Sequence, residues 1–293
     1  MSAEVVAQNL LFGVFVGGTY GVAAVGLSLV FGVLRVLNVA HGELLMLGGY
    51  ATFWLFTDLR LDPFLSLLVS VPLLFLLGLL LNRGLFGPVE RLDEPSRIKS
   101  SLLISFGLTL LLQNAAQALW SADERSVSSD LIGGGATLAG VAIPYTRLAA
   151  LVVGLLLVLA LRQLLQRTFF GKGVRATAED WEAAELAGID VRRTYLLTFG
   201  LGAALAGAAG TLVSLQYSIA PAIGLAWTLK ALVVVVLAGL GSVFGAFAAG
   251  LLLGVAETFS VFVIGPAYRE VIGLVLFLLV LLLRPQGLFG RVR

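Results

Sequence analysis

The chain contains no cysteine, which excludes disulfides and thiolate metal sites. It has one histidine, His41, so a histidine-built metal centre is excluded as well. Charge is scarce: 12% of residues are Asp, Glu, Lys or Arg, against about 25% in soluble domains. No P-loop, dinucleotide fingerprint or cluster of nucleophile and base is present. The sequence therefore predicts no catalytic residues, no cofactor and no metal, and nothing in it points to nucleic acid. The opening residues, Met1-Ser-Ala-Glu4, lack a basic stretch, so the first apolar run is expected to remain as a membrane span rather than be cleaved.

What is present is apolar. Hydrophobic residues make up 59% of the 293 positions, with 35 glycines and a mean hydropathy of +1.02. Glycine enrichment is usual in transmembrane helices. The expected fold is all-α: a polytopic transmembrane bundle forming one domain over residues 1–293, with about eight spans, some of them broken or re-entrant, and one short cytoplasmic helix. The apolar segments run over residues 5–34, 43–57, 64–82, 101–120, 146–165, 194–215, 226–256 and 262–283. A span takes about 20 residues. Residues 226–256 are too many for one and few for two, and Ala238-Gly-Leu-Gly-Ser242 lies in their middle. We expect a break at Gly239 and Gly241, with two short half-spans that dip in and return. The first segment runs into Arg35-Val-Leu-Asn-Val-Ala-His-Gly42, a second expected interruption.

The basic residues set an orientation. Arg83, Arg91, Arg97 and Lys99 fall in one loop, Arg162, Arg167, Lys172, Arg175, Arg192 and Arg193 in another, and Arg284, Arg291 and Arg293 in the tail. Placing these on the cytoplasmic side of an inner membrane puts the N-terminus outside and the C-terminus inside, provided that 226–256 goes in and comes back. The outer loop from Ser121 to Tyr145, with Asp130 and Gly133-Gly-Gly135, reads as irregular or a small hairpin.

Polar residues at a membrane boundary or within the apolar runs are the candidates for a pathway or gate. Asn38, His41 and Glu43 sit at the first interruption, either satisfying backbone opened by the break or lining a route. A charge at the bilayer centre costs about 2.5–3.5 kcal/mol on insertion scales. Glu43 must therefore lie near the surface, pair with Arg35 or Lys230, or face a wet cavity. Lys230 either snorkels outward or faces a cavity, and Gly239 and Gly241 mark the second break. Glu257 and the Arg269-Glu270 pair read as outer-boundary markers, and Trp54, Trp120 and Trp227 as interfacial anchors.

The long charged segment from Arg175 to Asp190 stands apart, in a loop over about residues 166–193. Thr177 followed by Asp180 resembles a capped helix start, and Gly188 a stop. About ten residues of helix are expected between them, with Ala183, Ala184 and Ala187 on one face suited to close approach. A helix so short needs a surface to pack against, either the chain's own body or a separate protein. It reads as a docking element.

Three blocks carry a resemblance: Gly18-Thr-Tyr-Gly21 through Leu37-Asn-Val-Ala-His-Gly-Glu43; Arg175-Ala-Thr-Ala-Glu-Asp180 with Ala184 and Gly188-Ile189; and Lys230-Ala with Val236-Leu-Ala-Gly-Leu-Gly-Ser242, Gly245-Ala and Gly250 through Glu257. They span nearly the whole chain, and in them it resembles the LivH-type permease subunits of ABC importers for branched-chain amino acids. Trp181 departs from that pattern. The resemblance implies a pairing with a second homologous, LivM-like permease or with itself. It also implies two cytoplasmic ATPase subunits and a periplasmic or lipid-anchored substrate-binding protein. Arg175, Thr177, Glu179, Asp180, Ala184 and Gly188 would then belong to the helix that couples to the ATPases, where ATP is hydrolysed. Urea or short amides are the alternative cargo. A stand-alone channel or secondary carrier is the alternative class.

Overall fold

The computed structural model describes residues 3–127, 134–138 and 140–290. Eleven α-helices lie in that range: α1 (Ala3–Leu34), α2 (His41–Leu59), α3 (Leu67–Leu81), α4 (Glu94–Trp120), α5 (Tyr145–Arg167), α6 (Phe169–Glu179), α7 (Trp181–Leu186), α8 (Val191–Ser214), α9 (Ile223–Ala238), α10 (Val243–Val263) and α11 (Arg269–Leu283). Seven of the helical stretches are long and apolar enough to cross a membrane, and α9 is a shorter apolar helix. A two-stranded antiparallel hairpin, β1 (Gly135–Leu138) and β2 (Val141–Pro144), is the surface element expected between α4 and α5. Asp130 and Gly133 of that loop, and Arg291 and Arg293 of the tail, lie outside the described residues.

Helices α1 and α8 form the centre; in α8 83% of the apolar window is buried, against 6% for the stretch containing α11. The α1–α10 contact is antiparallel and close because both faces carry glycine at four-residue spacing. Gly13, Gly17 and Gly21 meet Val255, Leu251 and Phe247, and Gly254 lies on Gly17. A methyl group at Gly17 would overlap the Leu251 backbone. Small residues let helix backbones approach where lipid offers no hydrophobic drive between helices. Hydroxyls add specific links: Thr211 of α8 accepts from Thr52 of α2 at 2.8 Å and lies 3.0 Å from Ser70 of α3.

The break at 239–242 lies where the sequence places it, with Gly239 and Gly241 at φ +98° and +86°. Its legs are unequal. Helix α9 has 16 residues and α10 has 21, about 24 and 31 Å at 1.5 Å per residue. The return leg is therefore a full span rather than a half-span. The turn packs against Gly32 at the end of α1. The last carbonyls of α9 would be orphans of the helix end. Leu288 N donates to Leu237 O at 2.8 Å, and Phe289 N to Ala238 O at 2.9 Å, so the C-terminal tail closes them.

The first interruption is deeper than the sequence suggests. Helix α1 ends at Leu34, yet the His41 ring meets Ala23 O at 2.9 Å. Ala23 lies eleven residues back along α1, about 16 Å from its end. Residues 35–40 therefore climb back into the bundle in non-helical form, and α2 begins near mid-depth. Irregular backbone at membrane depth must have its polar groups satisfied by protein, and α4 supplies much of this. Ser101 accepts from Leu37 N and Ser105 from Val39 N, both at 3.0 Å. Ser105 also donates to Leu37 O, and Arg97 to Leu34 O. The fit is geometric: alternate residues of an extended chain repeat at about 6.7 Å, and residues four apart on a helix at about 6 Å.

Candidate functional site

Three groups of residues concern function, at three depths in the bundle. The first is the docking segment, at the end that also carries the 82–93 loop and the C-terminal tail. It consists of two helices where the sequence suggests one. Thr168 caps α6, accepting from Gly171 N at 3.0 Å; Asp180 caps α7, accepting from Ala183 N at 3.0 Å; and Asp190 caps α8, accepting from Arg193 N at 2.9 Å. Thr177 is not a cap: it is buried inside α6, on the inward face with Gly171 and Val174. Its signal failed because the true start lies nine residues earlier, at Thr168, whose side chain serves the same purpose. Gly188 ends α7 at φ +85° as expected. Ala184 is buried against the chain's own body, and Ile189 N donates to its carbonyl. Arg175, Glu179 and Asp180 are exposed, as are three large apolar side chains, Phe169, Trp181 and Leu186. Leu186 is 91% exposed. A cleft of about 630 Å³ lies beside this segment, lined by Asn82, Arg83, Glu90, Asp190, Arg192 and Arg193 among others.

The second group surrounds the start of α2. Asn38 Oδ1 accepts from Ala40 N at 3.1 Å, turning the chain into the helix. Thr228 of α9 bridges the join, accepting from Gly42 N and donating to Val39 O, both at 2.8 Å. Glu43 lies in the first turn of α2 with no exposed surface. Neither carboxylate oxygen has a hydrogen-bond partner among the described residues. The expected pairings with Arg35 and Lys230 are not made: Arg35 lies 4.0 Å from Glu94, and Lys230 is engaged by Glu257. The Glu43 carboxyl instead rests against Gly224 in the first turn of α9, where no side chain could fit. Two helix N-termini, α2 and α9, thus meet at a buried carboxylate.

The third group is an ionic cluster joining four helices. Glu257 of α10, fully buried, lies 2.7 Å from Lys230 Nζ and 3.3 Å from Arg269 Nε. Tyr20 of α1 donates to Oε2, the oxygen that Arg269 also approaches, at 2.9 Å, and Arg269 donates to Tyr20 Oη at 3.3 Å. Lys230 Nζ stands 5.3 Å from the Tyr20 ring centroid. Glu257 and Arg269 are thus paired with each other within the bundle, and Lys230 is anchored rather than snorkelling. Trp227 and Trp120 also pack inward. Trp227 meets Tyr20 and Tyr217 edge-on, and Trp120 stacks on Tyr50 at 4.3 Å.

The pathway candidates therefore divide. Asn38, His41 and Glu43 come together; Lys230 belongs to the ionic cluster; Gly239 and Gly241 form the turn against the C-terminal tail, at the docking-segment end. Ser101, Ser105, Thr228, Gly224 and Tyr20 are the partners missed in the sequence. A hydroxyl or glycine within an apolar run gives no local sign of which backbone it meets.

Residues 9–281 match the family described as branched-chain amino acid transport system / permease component. The chain is 38% identical over 297 residues to the high-affinity branched-chain amino acid transport system permease protein BraD of Pseudomonas aeruginosa, covering 97% of this chain and 95% of that one. It is 31% identical to the corresponding permease protein LivH of Escherichia coli, with coverage of 97% and 95%. It is 28% identical to a probable branched-chain amino acid transport permease protein LivH of Methanocaldococcus jannaschii, covering 91% and 87%. The chain belongs to this permease family and is a multi-pass inner-membrane subunit of an ABC importer, a class that works with partner ATPases and a substrate-binding protein.

Proposed function

We propose that the chain carries branched-chain amino acids inward across the membrane, as one half of a permease pair completed by a related, LivM-like subunit or by a second copy. The end bearing α6 and α7 faces the cytoplasm, and the N-terminus faces outside. The binding protein delivers solute at the end bearing the β-hairpin. Two ATPase subunits seat against α6 and α7 and move them as ATP binds. That movement reaches α8 directly through the Asp190 cap, and α8 is the most enclosed helix of the bundle.

The observation that carries this reading is the docking segment. Three consecutive side-chain caps fix its path, and it nevertheless leaves Trp181 and Leu186 exposed. Exposed apolar side chains on a firmly held element mark an interaction surface. Glu179, also exposed, adds charge at its edge.

The test is uptake by proteoliposomes holding the permease pair, the ATPases and the binding protein. Labelled leucine should accumulate only with ATP. Leu186→Asp or Glu179→Arg should reduce ATPase copurification or uncouple hydrolysis from uptake. Uptake by the chain purified alone would favour a carrier, and uptake of urea or acetamide in place of leucine would reassign the cargo. For orientation, the absence of native cysteine makes a single Ser242→Cys site unambiguous. An impermeant maleimide should reach it from the cytoplasmic side only.

A further inference from the structure

Among the described residues Glu43 is the one fully buried acid without a partner, and Arg35, Lys230, Arg269 and His41 are committed elsewhere. Arg35 faces Glu94, Lys230 and Arg269 face Glu257, and His41 is bonded to the Ala23 carbonyl. An unpartnered carboxylate in a low-dielectric interior is costly. In a membrane segment it is retained chiefly where it meets a solute or an ion.

The surroundings are closely packed backbone. Glycines stand at 42 and 224, where a side chain would collide with the α9 backbone or with the Glu43 carboxyl itself. The N-termini of α2 and α9 converge there. Discontinuous helices meeting near mid-depth are a recurrent way to build a solute site. What they leave on offer here is a negative charge with free lone pairs. The complementary group is compact and cationic and carries several N–H donors.

We propose that Glu43 accepts the ammonium group of the transported amino acid at the midpoint of its route. This rests on the importer reading above. With the carboxylate fully enclosed, solute reaches it only when the starts of α2 and α9 part. Thr228 bonds to both sides of the α1–α2 join and is the link that would have to yield.

The test uses the complete complex of permease pair, ATPases and binding protein. Glu43→Gln removes the charge at nearly constant volume. We expect leucine uptake to fall at least tenfold while ATPase copurification and the thermal midpoint are kept, with Glu43→Asp recovering part of the uptake. A second readout does not depend on turnover. A hydrophobic carbodiimide should label Glu43, detected by peptide mass, and leucine should protect it. 4-Methylpentanoate, which has the same side chain and no ammonium, should not. Wild-type uptake by Glu43→Gln, labelling indifferent to leucine, or equal protection by 4-methylpentanoate would overturn the assignment. Protection by urea or acetamide but not leucine would overturn it too, in favour of a neutral amide. Failure of the wild-type complex to accumulate leucine at all would instead sink the importer reading for that cargo.

Discussion

Among the described residues two glutamates have no exposed surface, and the fold treats them in opposite ways. Glu257 is held by Lys230, Arg269 and Tyr20, at 2.7, 3.3 and 2.9 Å. Glu43, on a helix that starts in the bundle interior, has no partner at all among the described residues. Burial alone therefore says little about what an acid does. A carboxylate tied to three other helices, with both oxygens engaged, serves as a fastening. One packed against the Gly224 backbone without a bonding partner has its acceptors free for something that arrives.

The comparison breaks first at Glu257. Glu257→Ala would leave two cations facing each other with no anion between them. Removing one member of a buried ion pair costs about 3–5 kcal/mol. The low end applies here, because the Lys230 and Arg269 side chains are 20% and 34% exposed. We expect a clear fall in the thermal midpoint of the detergent-solubilised protein. Replacing the cluster together, with Glu257→Leu, Lys230→Met and Arg269→Met, should recover most of it, since well-packed apolar groups substitute for buried pairs at little cost. A single variant as stable as wild type would show that the cluster is not a fastening.

The next effect concerns the backbone that carries Glu43 to its depth. Ser101→Ala with Ser105→Ala would strip the partners from Leu37 N and Val39 N. Each buried group so exposed costs about 1–3 kcal/mol. Because the strip also sets the position of Glu43, transport should fall with stability. Glu43→Gln separates the two: transport should be lost without a fall in stability, since it breaks no existing contact and removes an unpartnered buried charge. Equal destabilisation by Glu43→Gln and Glu257→Ala would erase the distinction.

Much of this architecture is legible in the residues. Hydropathy places the spans, and the Gly-Leu-Gly of 239–241 places the turn between α9 and α10. Asn38-Val-Ala-His-Gly-Glu43 marks a break, yet its depth is not readable. Depth follows from His41 meeting Ala23 and from two serines on α4 whose partners lie 64 and 66 positions away. Tyr20 and Glu257 are 237 positions apart, and no local pattern links them. The docking segment fails differently. Four-residue capping signals abound where Thr and Asp are frequent, and packing against α8 decides which ones are used. Thr177 lost to Thr168 because its own side chain is buried.

The smallest effects sharpen the same comparison outside the membrane, where two acids three positions apart should respond oppositely to pH. Asp93 accepts from Ser96 at the start of α4, and that hydrogen bonding holds its carboxyl below the usual value. A folded value below the unfolded one, about 3.9, contributes stability that is full above that pH and is lost as pH falls through the folded value. Glu90 is pushed up, chiefly by burial, against the opposing bond from Asn82 at 2.6 Å and the nearby Arg97 and Arg192. Its contribution is full below the unfolded value, about 4.3, and is lost as pH rises through the raised one. Thermal midpoints from pH 3 to 8 should therefore show Asp93→Ala flattening the acid limb and Glu90→Gln flattening the limb above it. If Glu90→Gln instead steepened the upper limb, the Asn82 bond and the two arginines would outweigh burial, and Glu90 would join Glu257 as a fastened acid.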